Sequence, residues 1–526
     1  ALPFPPMATV ALRRPGAVWA RSIAGLKLAD LTGIAALSAL ALVLHTGHLG
    51  TPFWIDEGLS VGIASHPLGD IPYLLRQDGS PPLYYMLLHL WISVFGNSET
   101  ATHWLSEVFA VLCVPASWWA GRSLFGPRVG WTMAGLAALL PFFSTYAQET
   151  RMYSLAVLLG IGATACFVHA YVYGRQGYRI PFGVLLAALL YTHNWAYFFG
   201  TGLVAVLVLV WRQADAEQRR RLRRDAAVGF GTTAVLYAPW IPNFVYQTLH
   251  TGAPWATAPS VKGLLHAPNL LLGGQSGTVV IGLIAGAGLA TLRAGTTRER
   301  RVLLPALVLL VLVPIVVAWT LSQVSPAWAT RYLAVAVGPI LLLAGVGLSR
   351  AGRLGQAALV VLALLWAFYP SPDSKSNVHW LATTIGQQMH RGDLVISTQP
   401  EQVPVLHYYL PAGMTYATPF GVQRDTGVTD WRDGTGHFDD TDADHQLLPL
   451  LARLRVGQQV LFVKPIVLNA ARWRAPWTSR IRDRTVEYDG LLRGDPRFEL
   501  LQTIPQNYRN PGPIPLQGLL FVKTRA

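Results

Sequence analysis

Charge is what this chain has least of. Of its 526 residues only 13% are Asp, Glu, Lys or Arg, against about 25% in a soluble domain. So little charge beside 52% hydrophobic residues excludes an ordinary soluble enzyme and a disordered protein. Cysteine is scarce too. Cys113 and Cys166 are the two present, both inside apolar runs, which excludes a disulfide framework and a CxxC-type zinc site. The sequence lacks an internal repeat, a GxGxxG, a Walker loop and an HExxH, so it offers no dinucleotide, P-loop or metalloprotease signature. Acids are scarcer than bases, 27 against 41, for a net charge of +14. That excess invites a nucleic-acid reading, and its distribution argues against one.

What is present is a series of long apolar runs, and mean hydropathy is +0.36. A run of about 20 apolar residues spans a bilayer. Eleven segments qualify: 28–48, 101–121, 129–146, 153–174, 180–197, 198–211, 226–244, 276–293, 302–321, 333–349 and 354–370. The run 82–96 is short and follows Pro81, so that PPLYYMLLHLWISVF, 81–95, opens on two prolines. If it lies in the interface, 20 of the 24 basic residues before position 371 fall on one side. The other side keeps Arg76, Arg151, Lys262 and Arg331. If it crosses, the bias vanishes. The positive-inside rule therefore selects about 11 transmembrane helices, a cytoplasmic N-terminus (1–27) and an external C-terminus. ALPFPP precedes Met7, either an upstream start or an appended sequence. No cleavable signal peptide is evident, and 31–48 reads as a retained membrane helix.

After Pro370 the composition changes. Residues 371–526 hold 17 basic and 15 acidic residues and no spanning run. Short apolar runs at 394–397, 459–463 and 518–522 read as strands. Stretches 378–391 and 445–455 read as helices, and Arg424–Asp444 as an acidic loop. The fold class is thus a polytopic α-helical membrane domain, 28–370, followed by a soluble extracytoplasmic α/β domain, 371–526.

The outer loops hold few charges, so each one carries information. An ionisable group at the membrane is costly and marks a functional site by default. The first external loop, 49–81, contains Asp56-Glu57 and Asp78-Gly79-Ser80-Pro81. These are either loop turns and helix caps or a carboxylate site. The second external turn carries Glu149, Arg151 and Tyr153, either a local capping pair or a second acid and a cation of one cavity. Thr192-His193-Asn194-Trp195 follows in the third, where a lone His is either a hydrogen-bonded interface residue or a ligand. Arg331 is the single charge of its turn, with Tyr332 beside it. Arg suits bidentate contact with a phosphate. Asp56, Glu57 and Asp78 offer oxygen ligands for a divalent cation, although this ligand set does not demand one. Glu107 lies four residues past His103 on one helix, a spacing that pairs them.

Taken in order, DEGLS from Asp56, DGSPPLYYMLLHLW from Asp78, YAQETRMYSL from Tyr146 and YTHNW from Tyr191 resemble the GT-C superfamily of integral-membrane glycosyltransferases. The resemblance is nearest to its protein O-mannosyltransferase and lipid A aminoarabinose transferase branch. It covers residues 28–335. Each piece alone is weak; the combination is specific. It implies a GT-C fold and a transferase that takes a sugar from a polyprenyl-phosphate donor. The sugar passes, with inversion at the anomeric carbon, to a glycan, glycolipid or protein acceptor on the outer face. It implies Asp56 as catalytic base, with Glu57 beside it, and Glu57, Asp78 and Glu149 as cavity carboxylates. Arg151, Tyr153 and His193 match positions around that cavity. One departure stands out. Similar sequences carry Arg in a stretch like SExAxR, whereas here Ser98-Glu99-Thr100-Ala101-Thr102 ends in His103. Donor-phosphate contact then falls to Arg151, Arg331, His103 or Lys375.

The chemistry suits these residues. The leaving lipid phosphate is already a stable anion, so the reaction needs a base and positive charge more than a strong acid. A transporter or flippase of lipid-linked sugars is the alternative. Transporters place ionisable groups at mid-membrane, whereas here the acids cluster in outer loops. A structural membrane protein with an external binding domain leaves the loop acids without a purpose. Composition rich in Ala, Arg, Gly and Pro points to a GC-rich bacterium, its inner membrane, and decaprenyl or undecaprenyl phosphate as carrier.

Overall fold

A computed structural model describes residues 27–293, 298–369, 374–505 and 514–526. The basic N-terminal segment expected to be cytoplasmic lies outside them, apart from Lys27. The chain divides into two compact units that do not follow chain order. One holds the residues up to Leu49 with His103–Ile241 and Pro259–Ser371; the other holds Gly50–Thr102, Pro242–Ala258 and the chain after Pro372.

The first unit is helical. With Glu99–Phe125, whose first turn belongs to the other unit, the described residues contain eight helices long and apolar enough to cross a membrane: Leu28–His48, Glu99–Phe125, Pro127–Tyr146, Tyr153–Val172, Ala196–Gln213, Gly274–Leu292, Arg301–Leu321 and Thr330–Arg350. The chain is a multi-pass membrane protein. Two further expected spans are shorter apolar helices, Gln176–Leu190 and Arg353–Ala367. Segment 226–244 falls mostly in the helix Ala216–Tyr237, which opens on an Arg-rich turn capped by the Asp215 side chain. It ends at Tyr237 because Pro239 follows, and the next helix, Ile241–His250, starts the other unit's share. Leu83–Phe95 has 13 residues, about 20 Å at 1.5 Å per residue. That is too short for a ~30 Å hydrocarbon core.

Close packing of membrane helices rests on small residues. A Cβ at Gly288 would collide with the Gly347 carbonyl, so Gly274–Arg293 and Ala334–Arg350 approach backbone to backbone. Two of the expected inside cations also serve as interhelical ties: Arg122 pairs with Asp30 at 2.8 Å and Arg179 with Asp225 at 2.5 Å.

The second unit is built on a six-stranded sheet. Its strands are β1 (Leu394–Ser397), β2 (Thr415–Thr418), β3 (Gly421–Val422), β4 (Gln459–Pro465), β5 (Phe498–Ile504) and β6 (Leu516–Lys523). Their order is β3-β2-β1-β4-β6-β5. β1 runs parallel to β2 and β4; β6 is antiparallel to β4 and β5. All four residues of β1 are buried, as in a sheet covered on both faces. Alternation assigns them. Val395, Leu461, Val463 and Leu520 face a core with Val378, Leu381 and Ile385. Leu394, Ile396, Val460, Phe462 and Leu519 face one with Tyr488 and Leu492. Phe53 and Val61, from the first external loop, are members of the first core. The loop is therefore folded onto the sheet. The expected acidic loop 424–444 contains two short helices, Gly434–Asp439 and Ala443–Gln446.

Candidate functional site

In the sheet-bearing unit, Asp56 and Glu57 occupy the first turn of the helix Ile55–Ala64. A helix start favours negative charge, because unpaired backbone N–H groups point there. Glu57 is buried, 2% exposed, and its Oε2 accepts the Trp54 backbone N–H at 3.4 Å. Asp56 is half-buried. The helix is seated on the sheet domain through two glycines four residues apart. A Cβ at Gly58 would lie 2.6 to 2.9 Å from the Cβ, N and Cα of Val405, and one at Gly62 would strike the Gly427 carbonyl. The Gly58–Gly62 spacing is the sequence signal that could have revealed this seat.

Asp78 closes the helix Ile71–Asp78, with Gly79 in the left-handed region at φ 94°. Negative charge at a helix C-terminus opposes the dipole, so helix stability does not explain this acid. Sequence reasoning missed what holds its turn. The Gln247 side-chain amide donates to the carbonyls of Leu75 at 2.7 Å and Ser80 at 3.0 Å. The Trp431 N–H donates to the Gln77 carbonyl at 2.9 Å. Lys375 sets its ammonium 4.4 Å from the Trp54 ring centroid. That cation–π contact puts a positive charge beside the residue that opens the acidic helix. Among the described residues no three His, Cys, Asp or Glu side chains form a group that could hold a metal ion. Asp56, Glu57 and Asp78 are thus not gathered into a cage.

In the helical unit, Glu149 and Arg151 lie in the turn before Tyr153–Phe167. The Arg151 N–H donates to the Glu149 carbonyl at 2.7 Å, and the Ser106 hydroxyl donates to the Arg151 carbonyl at 3.1 Å. Glu149, Arg151, Tyr153 and His193 are all buried. Gln148, which the sequence did not single out, accepts the His48 N–H at 2.6 Å and donates to the Ser144 carbonyl at 2.6 Å. It ties the end of the first helix to this turn.

Arg331 is oriented by aromatic groups. Its Nε donates to the Tyr153 hydroxyl at 2.9 Å, and its guanidinium lies 5.3 Å from the Tyr332 ring centroid. Tyr332 in turn packs against His193 at 4.9 Å and Trp195 at 5.3 Å. Trp328 completes the set, 5.6 Å from Trp195. The Trp195 N–H donates to His193 Nδ1 at 3.1 Å, so the neutral ring carries its proton on Nε2. Burial, with the cations of Arg151 and Arg331, pushes His193 down to about 3. It is therefore a neutral imidazole at physiological pH, and the positive charge here belongs to the two arginines. His103 is fully buried and donates from Nδ1 to the Leu49 carbonyl at 2.7 Å. The expected His103–Glu107 pairing is replaced. Glu107 has His45 Nδ1, from the end of the helix Leu28–His45, 3.6 Å from its Oε1.

The arrangement offers a half-buried acid at a helix start in one unit, and in the other an oriented guanidinium, Arg331, with a second buried arginine, Arg151. Neither a family model nor a curated protein matches the sequence. Solved structures do match. ArnT from Cupriavidus metallidurans in the apo state is 14% identical with a TM-score of 0.62, covering 94% of this chain and 98% of that one. The same protein bound to undecaprenyl phosphate is 13% identical with a TM-score of 0.60, covering 93% and 97%. The arabinofuranosyltransferase AftD from Mycobacteria is 13% identical with a TM-score of 0.53, covering 94% of this chain and 40% of that one. These neighbours are members of the GT-C superfamily. At such identities the likeness is one of fold, and it runs through both the helical and the sheet-bearing parts.

Proposed function

We propose that this chain, which has the GT-C fold, is an inverting glycosyltransferase that moves a sugar from a polyprenyl-phosphate donor to an acceptor outside the cytoplasm. The observation that carries the reading is the match over 94% of this chain to a protein also solved with undecaprenyl phosphate. The loop acids add to it. A polyprenyl phosphate lies in the bilayer with its head group at the surface, where the acidic loop and the arginine turns are expected under the positive-inside topology of eleven crossings, N-terminus in and C-terminal domain out.

In this reading Asp56 is the base. Its carboxylate takes the proton of the acceptor hydroxyl as that oxygen attacks the anomeric carbon. The bond from that carbon to the phosphate oxygen breaks, and its electron pair leaves on the polyprenyl phosphate. Attack from the opposite face inverts the configuration. Glu57 caps the helix start that presents Asp56, and Asp78 and Glu149 are further acids of the site. Arg331 and Arg151 stabilise the departing phosphate, as fixed cations do wherever charge develops. Lys375 and His103 are the remaining candidates for that contact. Tyr153, Tyr332 and His193 hold Arg331 in place. The acceptor is a glycan, glycolipid or protein, and the setting is a bacterial inner membrane.

The test is a transfer assay. Purified protein receives a panel of radiolabelled polyprenyl-phosphate sugars with membrane extract as acceptor, beside the Asp56→Asn variant. Label should move from one donor and stay put in the variant. Donor that binds equally to both proteins without transfer would favour a carrier of lipid-linked sugars.

A further inference from the structure

Glu401, in the sheet domain, is a buried acid that the proposed reaction leaves unused. Glu401 sits on the single turn Pro400–Gln402, just after β1, and is 5% exposed. The Trp477 indole N–H lies 3.1 and 3.2 Å from its two oxygens, and the Gln399 side-chain amide donates to it at 3.1 Å. Gln402 in turn donates to Gln399 at 3.3 Å. All three donors are buried. A buried acid is costly to keep unless something uses or satisfies it. This one is held in a single orientation by neutral donors.

The turn that carries Glu401 packs against the helix Ile55–Ala64. The next helix, Val403–Tyr409, supplies Val405, the residue on which Gly58 is seated. Glu401 is thus fixed relative to the helix whose first turn carries Asp56. The groups acting on it come from three elements. The Asp56 carboxylate acts from the helix Ile55–Ala64, the neutral Trp477 indole from Pro476–Gly494, and the Gln399 amide from its own turn. Burial, with a smaller push from the Asp56 charge, raises Glu401 to about 7.

We propose that Glu401 is a positioning residue of the transfer site, an acid in the sheet domain that acts through Asp56. The idea rests on Asp56 being the base. A base is stronger when a neighbouring negative charge raises its proton affinity. Glu401 supplies that charge when ionised and withholds it when protonated. The sheet domain therefore belongs to the catalytic apparatus as well as covering the loop.

The experiment is a pH profile of kcat at saturating donor and acceptor, from pH 5.5 to 9, for wild type, Glu401→Gln and Trp477→Phe. Wild type should rise about threefold through neutral pH, a modest gain for a general base. Glu401→Gln should be flat at the acid-side level, with both KM values within about twofold of wild type. Trp477→Phe removes a donor that favours the carboxylate, so its rise should move to higher pH. A rise that persists in Glu401→Gln, or a uniform loss at every pH, would overturn the proposal. If Glu401→Gln does not fold, an unmoved rise in Trp477→Phe would overturn it instead. The Asp56→Asn control separates the two readings. Activity in that variant sinks the base assignment, whereas an inactive Asp56→Asn beside an unchanged Glu401→Gln profile sinks this inference alone.

Discussion

The Arg331 guanidinium donates from Nε to the Tyr153 hydroxyl at 2.9 Å, across 178 positions of sequence. One bond links the first turn of Thr330–Arg350 to the start of Tyr153–Val172. It also fixes the plane of a group whose value lies in planar, bidentate contact.

Arg331→Ala should therefore raise the apparent KM for the lipid-linked donor by about tenfold or more, the scale of a lost charged hydrogen bond. The acceptor KM should stay near wild type. Tyr153→Phe should show a smaller donor effect of the same kind, about fivefold. Steady-state kinetics with each substrate varied in turn checks both, and an unchanged donor KM in Arg331→Ala would remove the phosphate contact.

His193 gives a pH prediction for stability. Its folded value is depressed to about 3 by burial and by Arg151 and Arg331, below the ordinary value of about 6.5. Between these values the unfolded chain binds a proton that the folded chain refuses, so stability is lost as pH falls below about 6.5. At pH 5 the loss from this one group is about 2 kcal/mol. Thermal unfolding of wild type and His193→Gln at pH 7 and pH 5 should show a smaller drop in the variant.

The glycine seat predicts an order of severity. Gly62→Ala drives its Cβ into the Gly427 carbonyl, a backbone group with little room to yield. Gly58→Ala meets Val405, both backbone and side chain. Each should destabilise the sheet-bearing unit by about 1–3 kcal/mol, the cost of overpacking. Adding Val405→Ala should restore part of the loss in Gly58→Ala and none in Gly62→Ala. Denaturant unfolding of the three variants and the two doubles would show whether the rescue is selective.

Topology is checked from outside the cell. A tag after Ala526 should be cleaved by protease added to spheroplasts, while a tag before Ala1 should survive until lysis. The reverse pattern would overturn the orientation drawn from the basic residues.

The sequence alone located the eight long apolar helices of the described residues, because burial in hydrocarbon demands long uninterrupted apolar stretches that any reader can count. It located β1, β4 and β6 by their apolar character and missed β2, β3 and β5. Thr415–Thr418 and Gly421–Val422 are too short to show a pattern, and Phe498–Ile504, an edge strand, is largely exposed. It also marked Asp56 and Glu57 as unusual, since charge is rare in the outer loops. Tertiary structure alone decided that the loop 50–102 folds with residues beyond 372 rather than with its neighbours in the chain. Phe53 and Val61 are ordinary apolar residues whose place in the sheet's core depends on contacts more than 300 positions away. The same is true of Gln247 beneath the Asp78 turn and of Glu401, one acid among 15 in its domain by sequence. Local hydropathy and charge act on each residue by itself and are written in order along the chain. Which distant surfaces meet depends on shape and on small residues at the point of contact, and in the chain Gly58 and Gly62 look like any other glycines.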